Sequence, residues 1–494
     1  MNKLKVIIYW VRRDFRLTDN PALTKAIDKA RQEKTYFLPI FVLDEGLIGK
    51  NHGNIGYPRR LYLSRVLSEF VSNFKDFGIF HGSISEVFQD LKKAYDIEVF
   101  ANQDIEEYAL KRDIAVAESI GKENFHLFKD QLTVPFDLLT GAGNLYSVFS
   151  PFRKAVWNSF MDARPCDKVN LEELNFLNIA ELNNNKQIDL NTSQVEGNQS
   201  KIFSLLDTPW VCTVSKDYSI DLDNIFAREN YKDWYVRDDE ALLSFKDFVD
   251  RKIQSYKTGR DSLEQDVKDN GQTSKMSVAL KWGLISPRIM KQMILDSGLN
   301  PNSESVFGYI SELIWREFYK YIYYHNPNVL HTEFQKKYQE NPIQWVDDIT
   351  ARSRFEKWIK GQTGYEVVDA AMHQIAKTGW MHNRARMIVA SVLTKNLGVD
   401  WRWGQEYFRS VLLDLDEASN NGGWQWAASV GADPKPIRIF NPYLQQENYD
   451  KKKVYINHWL PKDYNIQEPI IDHKLAREEA LKRYNQSGVN PRDY

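Results

Sequence analysis

The sequence predicts an N-terminal parallel α/β domain, a long linker and a C-terminal all-α domain. In the first part, short apolar strands alternate with segments of helical periodicity, which is the pattern of a Rossmann-like parallel sheet. In the last part, helical periodicity continues with few strand signals. The predicted boundaries are 1–135 for the α/β domain, 136–235 for the linker and 236–480 for the helical domain.

The α/β prediction depends on where β-branched and apolar residues cluster. Strands are predicted at 5–10, 36–43 and 97–102. Helices are predicted at 19–32 and 59–76, where apolar residues recur with the helical period. The sheet layer is expected to end near residue 130.

The segment from about 165 to 230 is rich in Asn, Ser, Thr, Gln and Gly, which predicts a long surface linker. Trp210, Trp234 and Tyr235 are candidates to anchor it. Beyond it, helical runs are predicted at 305–324, 366–377, 383–397 and 405–414.

Composition narrows the class of protein. Lys plus Arg number 65 and Asp plus Glu number 67, and this near-neutral balance argues against a histone-like nucleic-acid binder while leaving room for a local basic groove. The two cysteines, Cys166 and Cys212, indicate neither a disulfide framework nor a cysteine metal site, and we expect no metal. No apolar run reaches 18 residues, so we expect a cytoplasmic protein without a membrane span.

The familiar nucleotide and hydrolase motifs are absent from the sequence. It contains no G-x-G-x-x-G, G-x-x-x-x-G-K-[ST], H-E-x-x-H or G-x-S-x-G. A nucleotide cofactor would therefore have to be bound without any of these sequence motifs.

Two polar stripes in the C-terminal half carry aromatic residues. Asp416, Asn420 and Trp424 recur every four residues, and the twin Gly422 and Gly423 suggest close approach of the backbone to something large and flat. A ligand-binding face and a solvated face with one stray Trp explain this stripe about equally well. The second stripe is Trp380, Asn383 and Met387, which share a face if their helix extends back to 380.

Two further patterns, taken alone, favour a structural role over a ligand site. Glu312, Trp315, Arg316 and Tyr319 share one helical face, which suits either a planar heterocycle or an ion-paired exposed surface. The hydroxyl groups of 273–277 precede a helical run, where they would cap a helix or hold a phosphate.

Taken together, these motifs resemble the FAD-binding domain of microbial class I cyclobutane-dimer photolyases, within the photolyase/cryptochrome family. The similarity spans nearly the whole chain. It is carried by 12–20, 148–152, Gly361–Tyr365, Val368–Met372, Gly379–Arg384, Asp400–Trp401, Asn420–Trp426 and Arg438–Pro442.

The resemblance implies FAD, active in its reduced form and held in a folded conformation by the helical domain. The implied cofactor-binding residues are Tyr256, Thr273, Ser274, Lys275, Met276 and Ser277 at the pyrophosphate and ribityl chain, Arg386 and Asp414 as an ion pair beside the isoalloxazine, Leu415 and Asp416 lining it, and Asn420 next to flavin N5.

The resemblance also implies a substrate pocket and an electron-transfer chain. Glu312 would hydrogen-bond the bases of the dimer and, with Asn420, form the catalytic pair. The remaining implied substrate and DNA contacts are Arg260, Trp315, Arg316, Tyr319, Asn383, Met387 and Trp426, and the electron-transfer chain is Trp424, Trp401 and Trp345.

The function implied is light-driven repair of cyclobutane pyrimidine dimers by electron transfer from excited reduced FAD. The partner would be DNA containing pyrimidine dimers, and the protein would be a monomer that associates with the nucleoid when bound to DNA. A flipped dimer would receive the electron, open both ring bonds and return it. Glu312 would have to be protonated, or act through a neighbouring donor, to stabilise the transient anion.

Three alternative functions fit the sequence less well. A cryptochrome light sensor is disfavoured because the pocket residues are present, and a (6-4) photolyase because only His382 stands where a histidine pair is needed. A general flavin oxidoreductase lacks a donor-substrate motif. The antenna chromophore stays open among a folate, a deazaflavin, another flavin or none, and the segment 432–437 is shorter than the common family form.

Overall fold

The protein is described from a computed structural model that covers residues 3–44, 55–178, 187–188, 195–206, 209–226, 234–267, 271–432 and 437–488. The predicted fold class is confirmed within these residues: a mainly parallel sheet precedes a helical assembly. The strands are β1 Lys5–Trp10, β2 Tyr36–Leu43, β3 Gly78–His81, β4 Asp96–Asn102, β5 Phe125–Phe128, β6 Gln187–Ile188, β7 Val211–Ser215 and β8 Tyr218–Asp221.

Helices α1 to α6 belong to the α/β part and the linker. They are α1 Pro21–Glu33, α2 Tyr57–Val71, α3 Ile84–Ala94, α4 Glu107–Ile120, α5 Phe149–Asp162 and α6 Val195–Leu206. The helices that follow are α7 Asp238–Arg251, α8 Tyr256–Gly259, α9 Leu263–Val267, α10 Ser277–Trp282, α11 Pro287–Asp296, α12 Glu304–His325, α13 Lys336–Glu340, α14 Asp348–Ile359, α15 Glu366–Thr378, α16 Asn383–Ser391, α17 Trp401–Val411, α18 Glu417–Ala427, α19 Pro442–Tyr449, α20 Val454–Trp459 and α21 His473–Gln486.

The sheet has the strand order β5-β4-β1-β2-β3-β6, in which only β6 runs antiparallel to its neighbour. Residues in β1 alternate between the two faces, as the twofold period of a strand requires. Val6, Ile8 and Trp10 pack with α3 and α4, whereas Ile7 and Tyr9 join the core that continues into the helical part. Both faces are therefore buried, which explains the unbroken apolar run at 6–10.

The sheet and the helical part meet at a buried ionic cluster. Arg288 at the start of α11 pairs with Asp19 at 2.9 Å and with Asp130 at 2.7 Å, and Arg16 pairs with the same Asp130. Gly283 lies directly against this seam with φ of +66°, and a Cβ there would fall 2.1 Å from the carbonyl oxygen of Arg13. The segment 12–20 thus helps to join the sheet to the helical part, because it supplies Arg16 and Asp19 to this cluster.

Several predicted elements need correction. Strands β3 and β5 were missed because each has only four residues, and the helix predicted at 59–76 spans 57–71. The run at 405–414 was misplaced, since α17 begins at Trp401 and ends at Val411. The run at 383–397 is α16 followed by a π-helical turn at Val392–Asn396.

The predicted linker contains more regular structure than its composition indicates. It carries α6 and the β7–β8 hairpin, and the hairpin packs on α17. Trp210 anchors it as predicted, because its buried indole donates through Nε1 to the carbonyl oxygen of Ser410 at 2.8 Å. A polar linker composition therefore does not prevent docking where one large aromatic supplies buried area.

Candidate functional site

A cavity of about 540 Å³ opens between α12, α16, α17 and α18 in the helical part. It brings together side chains that are more than 150 positions apart in the sequence. It is lined by Arg260, Ser277, Leu280, Lys281, Glu312, Trp315, Arg316, Tyr319, Asn383, Arg386, Met387, Ala390, Phe408, Leu412, Asp414, Leu415, Asp416, Ser419, Asn420, Gly423, Trp424 and Trp426. Most of the predicted site residues are in this set.

Helix α12 presents its predicted face to the cavity. The spacing of Glu312, Trp315, Arg316 and Tyr319 places all four on the lining, so the ligand-facing interpretation of this stripe is supported by the geometry. Trp315 is held in place by Phe149 of α5, whose ring lies parallel to the indole with centroids 3.6 Å apart. This stack fixes one aromatic wall of the cavity.

Glu312 and Arg260 form an ion pair on the lining, between Oε1 and NH1. Arg260 also donates to the phenol oxygen of Tyr256 at 3.4 Å. Both charged side chains are only part-buried, so they can still contact a ligand. The pair gives the cavity a carboxylate and an adjoining cluster of N–H donors.

A second ion pair joins Arg386 of α16 to Asp414. The NH2 group of Arg386 donates to Oδ2 of Asp414 at 2.7 Å, and Nε donates to the carbonyl oxygen of Met381 at 2.8 Å. Oδ1 of Asp414 is buried and has no hydrogen-bond partner among the described residues. One acceptor of this pair is therefore available to a ligand.

Asp416 and Asn420 lie one turn apart at the start of α18. Asp416 caps the helix by accepting from the backbone N–H of Ser419 at 3.0 Å. Burial alone would raise the pKa of Asp416, but Lys320 and then Arg316 outweigh it and lower that pKa below its usual range. The site therefore contains a half-buried carboxylate that is ionised at neutral pH.

Asn420 has its amide orientation fixed from one side. Its Nδ2 donates to the carbonyl oxygen of Gln405 at 3.2 Å, while its buried Oδ1 has no partner in the described part of the chain. A buried acceptor without a donor is costly. This amide oxygen, like Oδ1 of Asp414, is suited to a ligand N–H group.

The twin glycines of α18 have different roles. A Cβ on Gly422 would lie 2.1 Å from the ring of Tyr319, so the large flat group predicted near this backbone is a tyrosine of α12. Gly423 lines the cavity, and a Cβ there would meet nothing within 4 Å. Only Gly422 is needed for the close approach of the two helices.

Residues 273–276 and Tyr256 lie beside the cavity but are not part of its lining. Tyr309 connects them, since its hydroxyl donates to Ser274 Oγ at 2.8 Å and its ring contacts Tyr256 at 5.1 Å between centroids. The capping interpretation of this segment is wrong, because Met276 occupies the N-cap position of α10 and no side chain caps that helix. Thr273 Oγ1 is buried without a partner among the described residues.

Trp380 does not share a face with Asn383 and Met387 as proposed from their spacing. Helix α16 begins at Asn383, with His382 as its N-cap, so Trp380 lies before it. The indole of Trp380 instead donates to Ser277 Oγ at 3.1 Å. Asn383 and Met387 do line the cavity, and Asn383 is exposed at its opening.

The three tryptophans of the predicted electron-transfer chain occupy different depths. Trp424 lines the cavity, Trp401 is completely buried and Trp345 is half-buried. Within the described residues, no ring contact joins Trp401 to either of the other two. The closest aromatic neighbours of Trp424 are Phe408 and Trp358, at 5.0 and 6.0 Å between ring centroids.

Lys281 is a charged lining residue that the sequence analysis missed. It stands four residues after Ser277 in α10, so helical periodicity places both on the same face. Burial, followed by repulsion from Arg13, lowers the pKa of Lys281 to about 8. A lysine with this pKa can change charge near neutral pH.

Other features of the described residues complete the description. No helix among them is long and apolar enough to cross a membrane. They contain no group of three or more His, Cys, Asp or Glu side chains arranged for a metal ion. The shortened segment 432–437 falls largely outside the described residues, because only its first and last positions are covered.

The donor set of the cavity fits a flavin. Planar apolar walls, supplied by Trp315, Trp424 and Phe408, suit a fused aromatic ring system, and the unpartnered oxygens of Asp414 and Asn420 suit its N–H edge. Cationic side chains on the lining suit an anionic form of the cofactor or its pyrophosphate.

Comparisons with known proteins agree with this interpretation. Residues 309–487 match the family described as the FAD binding domain of DNA photolyase, and residues 7–170 match the DNA photolyase family. A deoxyribodipyrimidine photo-lyase of a Synechococcus strain is 32% identical, with 97% of this chain and 96% of that protein covered. A protein of the same name from Alkalihalophilus pseudofirmus is also 32% identical, over 96% and 91%.

Solved structures give the same result. A class III photolyase from Agrobacterium tumefaciens superposes with a TM-score of 0.79 at 28% identity, covering 99% of this chain and 98% of that one. A cryptochrome from Synechocystis has a TM-score of 0.72 at 23% identity over 100% and 96%, a likeness of fold alone. From the sequence relatives and the two family matches, the chain belongs to the photolyase/cryptochrome family.

Proposed function

We propose that this chain is a light-driven DNA repair enzyme that splits cyclobutane pyrimidine dimers and uses FAD as its catalytic cofactor. One observation carries the proposal. The substrate-type residues Glu312, Trp315 and Trp426 line the same cavity as the flavin-type residues Arg386 and Asn420. Cofactor and substrate can therefore be held in contact.

The cofactor would be held by residues of α10, α16 and α18. Arg386, Asp414, Leu415, Asp416 and Asn420 would contact the isoalloxazine. Tyr256 and Thr273 to Ser277 would hold the pyrophosphate and ribityl chain, a role supported by the buried unpartnered hydroxyl of Thr273. When bound in its reduced form and excited by light, FAD supplies the electron for repair.

Asn420 is suited to a cofactor that changes charge. An amide carries a donor and an acceptor but no charge of its own. Since its Nδ2 is held by the Gln405 carbonyl, the amide oxygen is the group presented to the cofactor. Asn420 can thus accept from a flavin N–H without introducing an anion beside a reduced flavin.

The dimer would lie between aromatic walls and a charged pair. Trp315 and Trp426 would pack against the bases, with Tyr319, Asn383 and Met387 completing the pocket. The ion pair with Arg260 supports the view that Glu312 acts through a neighbouring donor. The guanidinium would donate to the transient dimer anion, while the carboxylate orients the guanidinium.

DNA binding would deliver the lesion by flipping it out of the duplex, since a dimer is already poorly stacked. Arg316 is a less free cation than expected, because it donates to the carbonyl oxygen of Gln131 at 3.0 Å. Its remaining N–H groups still reach the cavity and would contact the phosphate backbone or the dimer.

One alternative within the family differs in what the cavity must contain. A (6-4) photolyase needs a pair of pocket histidines, and no described lining residue is a histidine. His382 is buried and accepts through Nδ1 from the backbone N–H of Arg384, so it caps α16 instead. This arrangement favours the cyclobutane dimer as substrate.

The remaining assignments are also proposals. We divide the chain into an antenna domain at 1–135, a linker at 136–235 and a flavin-binding domain at 236–480, which is supported by the end of β5 at Phe128. For the antenna domain the proposal keeps four options open: a folate, a deazaflavin, another flavin or no second chromophore. Trp424, Trp401 and Trp345 would return the flavin to its reduced form. The enzyme would act as a monomer on DNA in the cytoplasm.

The test is repair of a defined lesion by the purified protein. The flavoprotein is illuminated with blue light, and loss of thymine dimers from an oligonucleotide is followed with a dark control. Light-dependent recovery of thymines supports the proposal. A flavin that photoreduces normally while the dimer stays intact would contradict it and would point to a light sensor.

A further inference from the structure

Both carboxylate oxygens of Asp416 already have partners in the protein. Oδ1 accepts from the backbone N–H and from the hydroxyl of Ser419, at 3.0 and 2.9 Å. Oδ2 lies 3.3 Å from Nζ of Lys320 in α12. Asp414 differs, since its Oδ1 has no partner in the described part of the chain. The charge of Asp416 is therefore the main property that it presents to a ligand in the cavity.

Lys320 is a buried cation whose position is fixed from the α/β side of the molecule. Its side chain is only 2% exposed, and its Nζ donates to Oε1 of Gln131 at 2.7 Å. Gln131 comes three residues after the end of β5. It also accepts from Arg316, through its carbonyl oxygen at 3.0 Å and through Oε1 at 3.3 Å. One side chain outside the helical part thus orients two cations of α12.

Lys320 and Asp416 are each other's counter-ion. The other charged groups that act on Lys320 are Arg316, Arg13 and Asp104. Arg13 pairs with Asp104 at 2.6 Å, and Arg316 pairs with the carboxylate next to it in the sequence at 3.2 Å. These neighbours therefore largely balance among themselves, which leaves the buried amine and Asp416 to balance one another.

The pKa values agree with this pairing. Burial acts to raise the pKa of Asp416, and Lys320 is the strongest of the groups that lower it, ahead of Arg316 and Lys281. Burial, followed by repulsion from Arg316, lowers the pKa of Lys320, whereas Asp416 acts to raise it. Each partner thus favours the charged form of the other.

The balance matters because the proposed cofactor changes its charge. Full reduction of FAD adds two electrons and one proton, so the bound cofactor gains one negative charge. An unbalanced carboxylate on the cavity lining would oppose that gain, since charges interact strongly where water is partly excluded. A buried amine paired with the carboxylate removes this opposition.

We propose that Lys320 is a positioning residue for the cofactor: held by Gln131, it balances the charge of Asp416 and so favours reduced over oxidised FAD. Lys320 is not part of the cavity lining and acts through Asp416, which is. The inference rests on the proposed flavin site and adds to it a residue behind the cavity wall.

The test is the reduction potential of the bound flavin, measured by spectroelectrochemistry in wild type, Lys320→Met, Asp416→Asn and the double variant. Asparagine at 416 can still cap α18. We expect Lys320→Met to lower the preference for reduced over oxidised FAD by about tenfold, a potential about 30 mV more negative for a two-electron couple. Asp416→Asn should shift the potential the opposite way. The double variant should lie near wild type, because both charges of the pair are gone.

Two outcomes of this comparison overturn the proposal. One is an unchanged potential in Lys320→Met. The other is a double variant that stays at the potential of Lys320→Met, because a merely structural role of the lysine would not be cancelled by removing the charge of Asp416.

Lys291→Met is the matched control. Lys291 is also a completely buried lysine, but its Nζ donates to the backbone carbonyl oxygens of Met161, at 3.0 Å, and Ala163, and it is not part of the cavity lining. This variant loses a buried amine in the same way and should keep the wild-type potential. A shift as large as that of Lys320→Met would identify lost packing as the cause and overturn the proposal.

A second variant keeps the proposal testable if Lys320→Met folds poorly. Gln131→Glu has nearly the same shape and keeps an acceptor for Lys320 and Arg316, so the fold is expected to hold. The new carboxylate competes with Asp416 for the Lys320 ammonium, and the potential should become more negative. An unchanged or higher potential overturns the proposal. Dimer repair by wild type whose flavin was reduced beforehand with dithionite tests the proposed function separately, because that reaction does not depend on the reduction potential.

Discussion

The guanidinium of Arg386 donates to Oδ2 of Asp414 at 2.7 Å, and Oδ1 of that carboxylate is buried without a partner among the described residues. One carboxylate oxygen of Asp414 therefore accepts from Arg386, and the other is available to accept a hydrogen bond from a ligand. Asp414→Asn keeps the shape but removes the charge that holds Arg386. We expect FAD to bind more weakly by about tenfold to a hundredfold, since disrupting a charge-assisted pair of this kind costs roughly 1.5–3 kcal/mol.

The flavin-to-protein ratio after dialysis measures this effect. Glu366→Gln is the control, because it removes an ion pair of 2.6 Å with Lys453 that is not part of the cavity lining. Equal flavin retention in Asp414→Asn and Glu366→Gln would contradict the role of Asp414.

Glu312→Ala should lower the yield of dimer repair per absorbed photon while FAD content stays near that of wild type. The physical reason is that Arg260 loses the carboxylate that orients it toward the substrate. We expect a loss of about tenfold, which corresponds to about 1.4 kcal/mol, close to the contribution of one hydrogen bond to a charged group. Glu304→Ala, at the exposed first turn of the same helix, is the control. Unchanged repair in Glu312→Ala would refute the assignment.

Gly422→Ala and Gly423→Ala form a matched pair on α18. The methyl group at 422 would lie 2.1 Å from the Tyr319 ring, so α12 and α18 would have to separate, at a cost of about 1–3 kcal/mol. The methyl group at 423 meets nothing within 4 Å, and alanine favours a helix over glycine by up to about 1 kcal/mol. Urea unfolding of the two variants should show opposite shifts in midpoint. Similar destabilisation of both would show that helix packing is not the cause.

Lys281 should give the flavin-free protein a pH-dependent stability. Because burial, and then Arg13, lower its folded-state pKa to about 8, the folded state pays a penalty for charging it. That penalty is full below pH 8 and is relieved as the pH rises toward the unfolded pKa of about 10.4. Wild type should therefore gain about 1–3 kcal/mol relative to Lys281→Met over this interval. The measurement is urea unfolding of both proteins at pH 7 and pH 10. A constant difference between them would contradict the shifted pKa.

Helical periodicity predicted much of the site, because residues three, four or seven positions apart lie on the same face of a helix. Glu312, Trp315, Arg316 and Tyr319 were placed together by this rule alone, and all four line the cavity. Their neighbours across the cavity come from other helices, and only the family resemblance brought those into the same site.

The features that the sequence did not predict correctly have definite physical causes. Lys281 looks like any surface lysine in the sequence, since nothing local shows that its helix faces a cavity. The β7–β8 hairpin was missed because its short strands carry Ser, Thr and Asp, and it is stabilised by docking on α17. The face shared by Trp380, Asn383 and Met387 required a helix that extends back to 380. The helix instead begins at Asn383, where the predicted run begins, because His382 accepts from the N–H of Arg384 and caps it.

The ionic joint between the sheet and α11 determines how the chain can be divided. Arg288 belongs to the helical part, yet both of its carboxylate partners, Asp19 and Asp130, come from the α/β part. A fragment that starts after residue 135 would keep this guanidinium and lose both anions, and an unpaired buried charge costs about 3–5 kcal/mol. The two parts are therefore expected to melt in a single transition. Any chromophore carried on the sheet would then keep a fixed orientation relative to the flavin cavity, which is the condition for efficient transfer of excitation energy between them.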